Sequence, residues 1–198
     1  MVSDVNMVEF RIKDCFVAGF HRTEPPVTIN CASVFSQETV CLCLMIYAIN
    51  YLEFKASYIQ NAYITAPCQE KVWIIFGPKW GNNAGKKANI LCSLYGLKSA
   101  GTSFCAHLAD CMRNLGYETC LDGPDLWLNL MVRPDDHEKS YSCILCYVDD
   151  ILVIFRDSMS VLEKLDGYFK LKYNSFGDPA IYLGYKLRKV TLENGVEA

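Results

Sequence analysis

Residues 144–155 read Ile-Leu-Cys-Tyr-Val-Asp-Asp-Ile-Leu-Val-Ile-Phe, two apolar, β-branched-rich stretches flanking the adjacent carboxylates Asp149 and Asp150. Stretches of that length and composition read as strands covered on at least one face. An acid pair inside such a structure is costly unless it stands at a solvent-reachable turn or binds cations. The pattern predicts a hairpin with the acids at its tip, and chemistry on phosphates is the first function to consider.

With 198 residues and 52% hydrophobic content, the chain can bury a substantial core as one domain or two small lobes. A net charge of −3 argues against a free-standing nucleic-acid binder driven by bulk electrostatics. Any groove for phosphates must be locally basic. Lys79, Lys86, Lys87 and Lys98 form one cluster in sequence, and Lys186, Arg188 and Lys189 another; a solvated loop or strand edge explains each residue as well. No charged-then-apolar leader follows Met1, and the apolar stretch from Val40 to Leu52 is too short to cross a bilayer, so an intracellular, cytoplasmic or nuclear chain that is not secreted is expected. Eleven cysteines, an odd number, then imply reduced thiols rather than a disulfide framework. Cys143 and Cys146, an odd offset apart on a strand, face opposite ways and make a poor metal pair.

Loose alternation from Val8 to Phe20 predicts an antiparallel pair or a strand entering a loop at Thr23–Pro26. Ser36 is placed to cap a helix to about Asn50, apolar on nearly all sides and so expected to be buried. Strands are predicted at Glu53–Ile59, Lys71–Phe76, Leu126–Val132, Tyr141–Val148 and Ile151–Phe155, with a turn or short helix from Asn61 to Pro67. The clearest helix follows Tyr95: Phe104, Leu108, Cys111, Met112 and Leu115 make one stripe, and Gly116 suits a left-handed cap. Ser158 or Ser160 can cap a second helix carrying Val161, Leu162, Leu165, Tyr168 and Phe169 on one face. Ile181–Leu187 and Lys189–Leu192 suggest a closing hairpin. The order strand, helix, strand, strand, helix, strand is that of a ferredoxin-like α+β unit, antiparallel with two packed helices.

The Tyr-x-Asp-Asp hairpin resembles the signature of reverse transcriptases. YIQNAYITAPCQEKVW (58–73), LYGLKSAG (94–101) and IYLGYKL (181–187) resemble segments of Ty1/copia-type retrotransposon reverse transcriptases, in matching order. The resemblance covers nearly the whole chain. It implies a polymerase palm (about 51–65 and 94–180) with partial fingers (about 1–50 and 66–93), the start of a primer-positioning hairpin at 181–198, and no room for a thumb or nuclease domain. It also implies RNA-directed DNA polymerase activity with Mg2+ or Mn2+, acting on an RNA or DNA template-primer and deoxynucleotide triphosphates, with no membrane partner.

Residue by residue, the resemblance assigns metal binding and catalysis to Asp149 and Asp150, in a two-ion mechanism whose ions stand about 4 Å apart. Tyr63 takes the place of the plate under the incoming sugar, or is simply a core tyrosine. Tyr95, Gly96 and Lys98 correspond to the segment near the template base and nucleotide, although a glycine turn before a helix accounts for Gly96 and Lys98 too. Tyr147, Gly184 and Tyr185 fall at primer and template positions.

Two positions depart from the pattern. The family's bridging aspartate belongs five residues before the aromatic at Tyr63, and Tyr58 is there instead. A phenol is neutral near pH 7, with a reference pKa of about 10, and carries one oxygen where a carboxylate carries two. Glu53, at an odd offset and roughly 16 Å along the strand, cannot replace it; Asp122 and Asp125 fall in a Gly-Pro turn. The basic residue expected to grip the triphosphate in the fingers is Cys15, leaving Lys13 and Arg11 as displaced substitutes. The sequence therefore predicts an inactive copy, or else a non-catalytic nucleic-acid-binding or interaction module built on the palm.

Overall fold

A computed structural model of the chain describes residues 2–6, 11–15, 37–121, 123–132, 137–172, 176–188 and 190, the first two segments as backbone only. The chain divides into two compact units, one formed by residues 1–32 and 61–109 and the other by residues 33–60 and 110–198.

In the first unit, β1 (Val2–Asn6) pairs antiparallel with β2 (Arg11–Cys15), closing a hairpin that starts earlier than the alternation from Val8 predicts. Residues 7–10 and 16–36, including the expected loop at 23–26 and the Ser36 cap, lie outside the described residues. Beyond Asn61 come the single-turn α2 (Ala62–Thr65) and the two-stranded ribbon of β4 (Trp73–Ile75) and β5 (Lys87–Asn89), joined through a 3-10 turn at Pro78–Asn83. Helix α3 (Ala100–Asn114) begins in this unit, and its Phe104 and Leu108 are buried as the stripe predicts.

The second unit is built on a five-stranded antiparallel sheet in the order β3-β9-β8-β7-β6. Its strands are β3 (Glu53–Tyr58), β6 (Glu118–Cys120), β7 (Gly123–Val132), β8 (Lys139–Tyr147) and β9 (Asp150–Phe155). The molecule is therefore mixed α+β. Ile151, Leu152, Val153 and Ile154 are all fully buried, so β9 is covered on both faces. Such a run cannot alternate polar with apolar residues, which is why the sequence shows an unbroken hydrophobic string there. On one face, Leu152, Ile154, Leu145 and Cys143 pack with Val40 and Cys43 of α1 (Gln37–Ile49), with Phe54 and with Tyr182. Helix α4 (Ser158–Asp166) packs on β3 and β9 through buried Val161, Leu162 and Leu165.

Four expectations need correction. The ferredoxin-like order would place a full strand along the free edge of β3; among the described residues that edge receives only two isolated bridges, Ala56 to Gly177 and Ile59 to Leu171, while β6 extends the opposite side. Helix α1 is buried along one edge only: Leu42, Met45 and Ile49 are exposed, because a helix lying on a sheet covers one stripe whatever its other sides carry. The cap of α4 is Asp157, whose carboxylate accepts from Ser160 N at 3.1 Å. Ser158 is drawn inward instead, donating to Glu53 O at 3.0 Å, and the helix ends before Tyr168, which is exposed. The closing hairpin turns inside the first expected strand, between β10 (Ile181–Tyr182) and β11 (Tyr185–Lys186); residues 191–198 lie outside the described residues.

Gly116 has φ +84° and ends α3 as expected. The nine cysteines whose side chains are described are in the thiol form, with no disulfide among them. Burial pushes the Cys43 thiol up to about 12 and that of Cys143 to about 11, which makes them inert packing groups at neutral pH. Among the described residues no helix is long and apolar enough to cross a membrane.

Candidate active site

Tyr147 at the end of β8 pairs with Asp150 at the start of β9, so Val148 and Asp149 form a two-residue turn. Val148 has φ +54°. A β-branched side chain is strained there, at a cost on the order of 1–3 kcal/mol, and such strain persists only where the surroundings over-determine it. Here the two buried strands hold the turn from behind, and Ile59 N donates to Asp149 O at 2.7 Å from the end of β3. The acid tip is a rigid corner rather than a free loop.

Strand β3 brings the third position alongside. In the antiparallel register Tyr58 lies directly opposite Asp150, which sets their Cβ atoms about 4.5–5.5 Å apart. Both line an open cleft of about 480 Å³ together with Ser57, Asp178, Tyr182 and Gly184. Burial, reinforced by the neighbouring Asp149 charge, raises the Asp150 carboxyl above the usual carboxylate range. Lys55 does not offset this directly, since it is paired with Asp178 at 2.7 Å.

The donor set does not fit a two-ion centre. Such a centre needs acidic ligands converging from separate strands, whereas β3 contributes a phenol, and among the described residues no group of three His, Cys, Asp or Glu is placed to hold a metal. Glu53 pairs with Phe155 at the far end of β3, five residues from Tyr58. Asp125 stands on β7, separated from β9 by β8, and Asp122 lies outside the described residues.

The remaining sequence candidates fall in different surroundings. Tyr147 is half-buried and packs against the core that holds Leu145 and Leu152. Gly184 has φ +83° in the β10–β11 turn, open to solvent on its Cβ side; Tyr185 opens β11, and its side chain lies outside the description. In the first unit, Tyr63 packs against Tyr95 with ring centres 4.8 Å apart and planes tilted by 55°, and meets buried Phe104 edge-on at 5.9 Å, so it belongs to an aromatic cluster. Gly96 has φ +90° in a turn closed by Leu97 N donating to Leu94 O, and Lys98 is half-buried just before α3. Lys13 sits on β2 opposite Asp4, and Cys15 opposite Val2.

Sequence reasoning missed Tyr182. It lines the cleft, is 4% exposed, and buries a hydroxyl that has no hydrogen-bond partner among the described residues. Burial above all, then Cys146, Asp150 and Cys43, raises its pKa far above the ordinary tyrosine value. The one available signal was its place two residues before Gly184, within the apolar run Ile181-Tyr182-Leu183.

A family model described as reverse transcriptase (RNA-dependent DNA polymerase) matches residues 4–195 of the chain. No curated protein matches it.

Proposed function

The chain belongs to the reverse transcriptase family, and from that premise we propose that it is the fingers-and-palm part of a Ty1/copia-type retrotransposon enzyme whose catalytic centre is disabled. In this reading the palm comprises about 51–65 and 94–180, the fingers about 1–50 and 66–93, and the hairpin after 181 positions the primer. The family typically uses divalent metals and acts on a template-primer and deoxynucleotide triphosphates. Asp149 and Asp150 are the acids that would hold the ions; Tyr63, Tyr95, Gly96, Lys98 and Lys13 belong to the nucleotide side, and Tyr147, Gly184 and Tyr185 to the primer and template.

The observation that carries the inactivity is the pairing of Tyr58 with Asp150. A neutral phenol occupies the strand position from which a second carboxylate would complete the charge of the site. Without it, neither the lowered pKa of the attacking hydroxyl nor the neutralisation of the triphosphate is supported at full strength.

Primer extension on an RNA template with Mg2+ or Mn2+ tests this: no product above background is expected. Extension that disappears with Asp149→Asn would overturn it. Tyr58→Asp restores the missing charge and should tighten Mn2+ binding about tenfold or more, since even outer-shell partners act on that scale; unchanged affinity would remove position 58 from the site. The alternative, a non-catalytic nucleic-acid-binding or interaction module derived from the palm, expects salt-dependent binding to a primer-template hybrid that Lys98→Glu weakens.

A further inference from the structure

We propose that the outward face of α1 is the contact through which two copies of this chain pair, helix against helix and antiparallel. Helix α1 is apolar on both sides. Val40 and Cys43 are buried against the sheet, while Leu42, Met45 and Ile49 on the other side are 49%, 53% and 68% exposed. Their spacing of three and then four residues draws one straight stripe along the helix, which is the spacing with which helices pack side by side. An apolar stripe left in water, on a helix whose other face is already covered, marks an interaction surface.

The surface continues past both ends of the helix. Leu52 N donates to Tyr47 O at 3.1 Å, the bond of a Schellman turn, which puts Tyr51 at the position where glycine is preferred. Tyr51 has φ +50° and is 73% exposed. A tyrosine there is strained and gains little from the core, so the fold alone gives no reason for it. At the other end, Gly123 lies against Thr39 in the first turn of α1, and Leu121, two residues earlier, is fully exposed.

A second copy is the occupant this surface fits. A two-fold contact sets the patch against itself. Helix α1 carries one charged residue, Glu38, in its first turn, so no like charges meet along the stripe even though the whole chain carries −3. Antiparallel pairing puts Met45 near the axis, Leu42 of one copy beside Ile49 of the other, and Leu121 of one copy toward Tyr51 of the other. It also sets the positive end of each helix dipole beside the negative end of its neighbour. An anionic bilayer fits less well, because α1 has neither lysine nor arginine to hold its headgroups. The contact is small: 13 residues of helix span about 20 Å, which falls short of the roughly 800 Å² per partner of a stable complex. The pair is therefore weak, with a Kd on the order of tens of micromolar.

The proposal does not depend on what the carboxylate cleft does. Sedimentation velocity of the full chain, from low micromolar to several hundred micromolar, should show a monomer–dimer equilibrium. Met45→Glu puts two like charges at the axis and should raise the Kd more than about tenfold. Leu121→Asp should raise it about threefold or more, and the full exposure of that residue leaves folding out of the effect. Tyr51→Gly separates pairing from folding. It should raise the Kd and yet raise the urea midpoint of the dilute monomer, because glycine accepts φ near +50° without strain. A chain that stays monomeric at every concentration, association undiminished in a folded Met45→Glu protein, or a monomer that instead sediments with anionic vesicles would overturn the proposal.

Discussion

The β8–β9 hairpin and the β4–β5 ribbon are both antiparallel strand pairs, yet they handle their side chains in opposite ways. On β9 four consecutive residues are fully buried, and the polar chemistry is confined to the tip. On the ribbon the apolar residues Trp73 and Ile75 face water beside lysines. The hairpin is the middle of a five-stranded sheet packed with helices, so its geometry is over-determined and can hold a strained Val148. Among the described residues the ribbon's strands pair only with each other, so what it offers is surface. Position and rigidity are the assets of the first region, accessible aromatic and cationic groups those of the second.

The sharpest way to break this contrast is to truncate one residue in each. Leu152→Ala removes a fully buried side chain and should cost about 2–5 kcal/mol, whereas Ile75→Ala on the ribbon should stay within about 0.5 kcal/mol. Urea denaturation followed by circular dichroism measures both. Equal losses would mean that the ribbon is as integral to the folded state as the sheet.

A smaller effect of opposite sign is expected at the cleft floor. The Tyr182 hydroxyl is buried without a partner among the described residues, and an orphaned polar atom costs about 1–3 kcal/mol. Tyr182→Phe should therefore raise the urea midpoint. A lower midpoint would show that the hydroxyl is satisfied, by an ordered water or by a ligand of the cleft.

Asp150 gives the smallest effect and the one that depends on pH. Its carboxyl is raised in the folded protein by burial and by Asp149, so the folded state holds that proton more tightly than the unfolded chain, whose aspartates titrate near about 3.9. Its influence on stability is favourable at low pH and is lost as pH rises from the unfolded value through the folded one. Asp150→Asn should flatten that decline in thermal melts across the acid range. A wild-type protein whose Asp150-dependent stability grows with pH would place a compensating cation at the carboxylates.

Several features were legible before any coordinates. The unbroken apolar run at 151–155 announced a strand covered on at least one face, which the structure covers on both, and the stripe from Phe104 to Met112 with Gly116 announced α3 and its stop. These signals are local: periodicity and a glycine cap act within a few residues. The burial of α1 was misread because composition says how much apolar surface a helix has, not which stripe meets a sheet. Ser158 was misread as a cap because its hydroxyl is claimed by Glu53 O, 105 residues away in sequence. Tyr182 was missed for the same kind of reason, since its burial depends on a core whose members, such as Cys43 of α1 and Leu152 of β9, arrive from other elements.

The sequence by itself determined the chemistry available to this protein: two adjacent acids in a Tyr-x-Asp-Asp setting, a tyrosine rather than an acid five residues before Tyr63, and lysines gathered into one stretch. Residue identity needs no folding to be read. Only the tertiary structure decided that Tyr58 lies across from Asp150 and that Trp73 stays in water. Strand register and exposure are set by pairings between segments far apart in the chain, where burying the apolar faces of distant elements together outweighs what any short stretch prefers alone.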